Sequence, residues 1–324
     1  MKHFPVSTST LSASALANFI DKQYNLPANS QCQLFRTGIN HTYVVTSDEL
    51  KYVFRVYSHG WRVVPEIEEE LRVLSILKDN GISVSYPIPD KEGNLMQSVM
   101  APEGTRYAAL FSYAEGNKIR FMQEDTCFSI GQLMANMHLI TSKQAIGRMQ
   151  YDHNTLLLAP YYAAKRFFSE KLPEMQFLRQ NNERIQARFE PASTQALARG
   201  IVHMDIWYDN MSVVDKDHIT LFDFDFCGNG PLVLDIAYFS KQLFHIETDK
   251  DIYERKIAAF LKGYKSVRHL SMEEMDLIPD AGSAIWTFYL GVQADRFDWS
   301  NPFFTENYLK MFIGKMKDWL EYHK

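Results

Sequence analysis

Residues 203–226 read HMDIWYDNMSVVDKDHITLFDFDF and gather Asp205, Asn210, Asp223 and Asp225 around one short β-hairpin with DKD at its turn. Carboxylates crowded in this way repel one another, so the cluster needs a positive charge to hold it. Hard oxygen donors suit Mg²⁺, which takes one or two carboxylates and completes its shell with water and substrate phosphates. Asp205 and Asn210 stand five residues apart, a strand begins straight after Asn210, and Asp223 lies on the returning strand. Side chains alternate along a strand. Asp223 and Asp225 are therefore expected on one face, with Phe222, Phe224 and Phe226 on the other, anchoring the strand in the core.

Asp-x4-Asn followed by a strand that ends in Asp-Phe is the arrangement of the protein-kinase catalytic centre. HMDIWYDN, LFDFDF, GNGP and LDIAYF succeed one another at compatible spacing. In these elements the chain resembles the aminoglycoside phosphotransferase and choline kinase family, the small-molecule branch of the protein-kinase-like fold. Its bacterial homoserine-kinase-like and stress-response-kinase-like branches are the most similar. The resemblance covers roughly residues 30 to 300, far more than a chance motif would. It implies that Asp205 is the catalytic base and that Asn210 and Asp223 hold the metal. Asp225 is a further candidate ligand that the family pattern does not require. Asp235 in LDIA is expected to brace the catalytic loop, and His203 to organise it.

Such a centre needs a hairpin over the nucleotide phosphates, a basic residue on the next strand and a helix glutamate that pairs with it. RTGINHTYVV occupies the hairpin position with a single glycine, Gly38. Backbone N–H groups around Ile39, Asn40, His41 and Thr42 are candidate phosphate contacts; an ordinary hairpin turn is the other reading. On the next strand, KYVFRVYS, Arg55 stands between Phe54 and Val56. A guanidinium in a central strand needs a partner and can grip two phosphate oxygens at once. The rival reading leaves Arg55 on the surface and Lys51 in solvent. Of the run Glu66, Glu68, Glu69 and Glu70, helical phase turns only Glu70 into the apolar stripe of Ile67, Leu74 and Leu77. An acid on the buried face calls for a cation, and Arg55 is the obvious candidate.

The elements that must position these residues fall into two groups. A helix over 10–24, strands within 32–58, a helix from Pro65 to Gly81 and strands at 94–100 and 106–113 make up the first. Helical periodicity then dominates 123–140, 160–187, 234–245, 251–264, 272–296 and 303–322, broken only by the acidic hairpin. The expectation is a two-lobed α+β protein: an N-terminal nucleotide-binding lobe over 1–112 and a catalytic, acceptor-binding lobe over 113–324, hinged near 112–117. His138 reads as a structural histidine on a core helix. The aromatic C-terminal stretch and Asp295 and Asp298 leave open an acceptor pocket for an amine or a quaternary ammonium.

Composition narrows the partners. The 324 residues carry a formal net charge of −5, which argues against nucleic acid as the main partner. No apolar run reaches a membrane span and the opening stretch has no signal-peptide core. Cys32, Cys127 and Cys227 form neither a disulfide framework nor a metal-ligand spacing, so the expected setting is the reducing cytoplasm. The expected activity is ATP- and Mg²⁺-dependent phosphotransfer to a hydroxyl of a small molecule such as an aminoglycoside, choline or a homoserine-like compound. A Ser/Thr protein kinase of the stress-response type and a non-catalytic pseudokinase are the alternatives. A metal-dependent hydrolase would explain the acids but not Arg55 and Glu70.

Overall fold

The computed structural model describes residues 4–27, 29–142, 144–192 and 197–324. The chain forms two compact units, Met1–Ala114 and Glu115–Lys324, each with its own α+β content.

In the first unit, α1 (Ala13–Gln23) precedes β1 (Gln31–Thr37), β2 (His41–Ser47) and β3 (Leu50–Val56), then α2 (Val64–Asp79), β4 (Pro87–Ile88), β5 (Gln97–Ala101) and β6 (Gly104–Ser112). The strands make one antiparallel sheet in the order β1-β2-β3-β6-β4, with β5 also on β6. Period-two alternation builds its core: every second residue of β2 is buried. Tyr43, Val45, Phe54, Val56, Ala108 and Leu110 pack under Leu16, Ile20 and Tyr24 from the α1 region. Arg55, one residue out of phase with Phe54 and Val56, belongs to the opposite face. The two-residue β4 has no counterpart among the sequence expectations because so short a strand carries no periodicity.

The second unit contains α3 (Glu124–Thr141), α4 (Ala159–Lys165), α5 (Pro173–Ala192), β7 (Arg199–Val202), the hairpin β8 (Met211–Asp215) and β9 (His218–Leu221), and β10 (Gly228–Pro231). Then come α6 (Val233–Ile246), α7 (Lys250–Lys265), α8 (Met272–Asp276), α9 (Ile278–Asp295), α10 (Phe297–Ser300) and α11 (Glu306–Tyr322). β10 pairs antiparallel with β7, and β8 with β9. Helices α3 and α7 touch backbone to backbone through Gly131 and Gly263. A Cβ on Gly263 would stand 1.9 Å from the Phe128 carbonyl oxygen, and one on Gly131 2.1 Å from that of Phe260.

Several expected helices differ in extent, two of them divided by proline. The stretch 160–187 becomes a π-helical turn at Asn154–Leu158, α4 and α5, with Pro160 and Pro173 in first turns. Likewise 272–296 splits at Leu277, just before Pro279. Proline lacks the N–H a helix interior needs but fits its first turn. The span 303–322 starts only at Glu306, where Thr305 caps the helix.

Candidate active site

The loop after β7 turns sharply at Met204, a non-glycine residue with φ of +67°. Such a conformation persists only where surroundings enforce it. Here Asp235, on the first turn of α6 and fully buried, accepts from the amide of His203 at 2.8 Å and that of Met204 at 2.7 Å. The Met204 carbonyl in turn accepts from Tyr289 Oη at 3.0 Å. Behind Asp235, His138 Nε2 lies 3.0 Å from Oδ2 while its Nδ1 meets Tyr264 Oη at 2.8 Å. Both nitrogens of His138 are engaged, as a structural histidine requires.

His203 is engaged on both sides as well. Its Nδ1 accepts from the Asp205 amide at 3.1 Å, so Nε2 carries the proton and donates to the Phe222 carbonyl at 3.1 Å. Burial lowers its pKa and keeps the ring neutral. A ring with both nitrogens committed to backbone is an organiser of the loop and has no atom left to act as a base.

Asp205 is half-buried with both carboxylate oxygens held. Oδ1 accepts from Tyr238 Oη, and Oδ2 from Asn210 Nδ2 at 2.6 Å; the same amide also donates to the Asp205 carbonyl at 3.0 Å. Burial holds the Tyr238 phenol well above its ordinary pKa, so it is a donor at neutral pH. Burial first, then the charge of Asp223, push Asp205 up to about 7, against the opposing pull of Tyr238, Asn210 and Lys241. Asp205, Asn210 and Asp223 are thus brought together.

Strand alternation does not extend to Asp223. β9 ends at Leu221, and Asp223 itself has φ of +66°. Phe224, Asp225 and Phe226 are then buried one after another, at 2%, 3% and 6% exposure, so Asp225 does not share an exposed face with Asp223. The reason is local: once the chain leaves the ladder, a left-handed residue reverses its direction and period two is lost. Arg148 Nη2 donates to the Asp225 carbonyl and fixes this turn. Lys118 reaches Asp209 at 2.7 Å, and the Asn117 backbone pairs with that of Val213, tying residues 117 and 118 to the hairpin region.

In the first unit Arg55 Nη1 donates to Glu70 Oε1 at 2.8 Å, with the arginine side chain 11% exposed and the glutamate sealed. Tyr57 Oη adds a bond to Glu70 Oε2 at 3.3 Å. The guanidinium lies 5.3 Å from the centre of the Phe111 ring. Lys51 is exposed, so the buried cation of β3 is Arg55. At the β1–β2 turn, the Gly38 amide donates to the Asn40 carbonyl at 3.1 Å. Asn40 Oδ1 accepts from the Ser58 amide, also at 3.1 Å, and Ser58 Oγ donates to the Ile39 carbonyl. The turn is therefore pinned to the residues after β3, and Thr42 sits opposite Arg55 in the register.

Asp295 and Asp298 have taken other partners. They pair at the surface with Arg166 at 2.6 Å and Arg296 at 3.0 Å. The site residues that sequence reasoning missed are Tyr238 and Tyr289. Tyr238 stands three residues after Asp235, hence on the same side of α6, and that spacing was the available signal.

The phosphotransferase enzyme family model matches residues 32–270. An uncharacterised protein of Synechocystis is 30% identical over 295 residues, covering 90% of this chain and 81% of that protein. A homoserine kinase of Methylobacillus flagellatus is 27% identical over 281 residues, 85% of this chain and 80% of its own. Among solved structures, a microcompartment-associated aminopropanol kinase shares the fold with a TM-score of 0.76 at 20% identity over 95% of both chains. An amicoumacin kinase, solved with AMP-PNP, Ca²⁺ and its ligand, does so at 0.77 and 18% identity over 95% of this chain and 93% of that one. With these matches spanning both units, the chain belongs to the phosphotransferase enzyme family and is a kinase of its protein-kinase-like fold.

Proposed function

We propose that the protein transfers the γ-phosphate of ATP, with Mg²⁺, to a hydroxyl group of a small molecule. The observation that carries this is the held carboxylate of Asp205, oriented by Asn210 and Tyr238 and raised to about 7. Asp205 would align the acceptor hydroxyl and take its proton, a role that a group titrating near the working pH performs well.

The residues present fit a divalent cation. Both amide hydrogens of Asn210 go to Asp205, which leaves Oδ1 as a hard oxygen donor, and Asp223 supplies a carboxylate close enough to perturb Asp205. Asn210 and Asp223 would hold the ion, with Asp225 in the buried turn behind Asp223. A cation held there would supply positive charge that offsets that of the nucleotide phosphates. Among the described residues no group of three or more His, Cys, Asp or Glu gathers as metal ligands, which is compatible with the sparse protein shell that Mg²⁺ takes. From the first unit, Arg55 held by Glu70 would steady the phosphates, with the Gly38–Thr42 turn contributing backbone N–H groups and the Asn40 and Thr42 side chains nearby.

The chain beyond Asp223 favours a small acceptor over a protein. Every residue from Phe224 through Lys241 is buried, so no activation segment is left to carry a peptide. The homoserine and aminopropanol kinases make amino alcohols and hydroxy amino acids the first compounds to assay. In an ADP-release assay with a panel of alcohols, at least one should raise turnover well above the background ATPase rate. A protein substrate phosphorylated while every small alcohol stays at background would contradict the proposal.

A further inference from the structure

Among the described residues, Arg62, Arg106, Arg148 and Lys256 are buried bases beside Lys241. Each of those four has an oxygen partner: Glu66 in an ion pair with Arg62, the Tyr57 and Val56 carbonyls for Arg106, the Asp225 carbonyl for Arg148, and Glu247 for Lys256. Lys241, 3% exposed on α6, makes no such bond with any described residue. Its ammonium lies over two aromatic faces instead, 4.3 Å from the centre of the Tyr238 ring and 5.0 Å from that of Trp286. Aromatic faces attract a cation but do not replace an anion for one removed from water.

The place of this ammonium matters, because Tyr238 is the residue whose hydroxyl holds Asp205 Oδ1. One aromatic ring therefore lies between the Lys241 ammonium and the carboxylate that would receive the acceptor's proton. The surroundings leave the ammonium's charge poorly compensated. Burial lowers Lys241 to about 7, with Lys315 acting in the same direction and Asp205 opposing. His245, one turn further along α6, is pushed down to about 3 by burial and by Lys315, Lys241 and Lys250.

We propose that Lys241 is the anchor of the acceptor subsite and binds a carboxylate on the substrate, so that the favoured acceptors are small hydroxy acids whose hydroxyl reaches Asp205. The assignment rests on the phosphotransfer reading of Asp205 and narrows its acceptor class. Tyr238 then serves two groups, its ring supporting the lysine and its hydroxyl orienting the aspartate.

Binding tests the assignment without requiring turnover. Wild type, Lys241→Met and Lys241→Arg are titrated by calorimetry with matched pairs that differ only in the carboxylate: L-homoserine with 3-aminopropan-1-ol, and 4-hydroxybutyrate with propan-1-ol. Mg·ATP affinity in each variant reports that the protein is folded. The acid of at least one pair should bind wild type about 10- to 100-fold more tightly than its partner, the range of one charge-assisted hydrogen bond. Lys241→Met should abolish that difference and Lys241→Arg should restore part of it. Equal affinity within both pairs, no detectable binding of either acid, or discrimination that survives in Lys241→Met would each overturn the assignment. Failure of the phosphotransfer reading looks different: the acids would bind through Lys241 and no ADP would be released.

Discussion

At the scale of single residues, the site turns on how one carboxylate is held. Asp205 has a donor on each oxygen, and the two differ in what they control. Asn210 also carries the oxygen assigned to the metal, whereas Tyr238 touches Asp205 alone among these acids. Tyr238→Phe should therefore lower kcat by about 10- to 100-fold, the worth of a hydrogen bond to a charged group, and leave Mg·ATP affinity within about two-fold. A matching loss of nucleotide affinity in calorimetry would show that Tyr238 does more than orient Asp205. The Arg55–Glu70 pair makes a second case. Glu70 is sealed in the apolar face of α2, so Glu70→Ala leaves a mostly buried guanidinium without its counter-charge. Removing one partner of a buried pair costs about 3–5 kcal/mol, and chemical denaturation should register a loss of that order.

At the scale of elements, α6 does several jobs along one face: Asp235 grips the loop after β7, Tyr238 the Asp205 carboxylate, and Lys241 and His245 come at the next turns. His245 gives α6 a pH signature. Its folded pKa of about 3 lies below the ordinary 6.5, so the unfolded chain binds the extra proton first. Stability from this group is complete above pH 6.5 and is lost as pH falls toward 3. The urea midpoint should fall less between pH 7 and pH 4.5 in His245→Phe than in wild type; parallel acid limbs would count against the assignment. Packing offers a sharper test, since a methyl on Gly263 would meet the Phe128 carbonyl oxygen at 1.9 Å. Gly263→Ala should cost about 3 kcal/mol by overpacking, read as a lowered melting temperature. Much at this scale was legible in the sequence. Alternation marked β1 to β3, helical phase singled out Glu70, and DKD marked the turn between β8 and β9. What was not legible depends on contacts distant in the chain. Nothing near Tyr289 signals that it bonds to Met204, because only the fold brings 289 beside 204. The left-handed Asp223 escaped for another reason, since φ there is imposed by its surroundings and an aspartate in a strand-like run does not announce it.

At the scale of the molecule, each unit holds its own candidate residues, Arg55 and Glu70 in the first and Asp205, Asn210 and Asp223 in the second. A ligand that binds only the folded state raises its stability, by about 2.7 kcal/mol at one hundred times Kd. Saturating Mg·ATP should thus raise the melting temperature of wild type, and Asp223→Ala should lose most of that rise. The central claim, that Asp205 is the group that receives the hydroxyl proton, is tested most directly by Asp205→Asn. The substitution is nearly isosteric and removes the proton acceptor. With Mg·ATP and a competent acceptor in a single-turnover quench-flow experiment, transfer should slow by about 10² to 10⁴-fold while the affinity for Mg·ATP stays close to that of wild type. Transfer at near the wild-type rate would contradict the account and remove Asp205 from the chemistry.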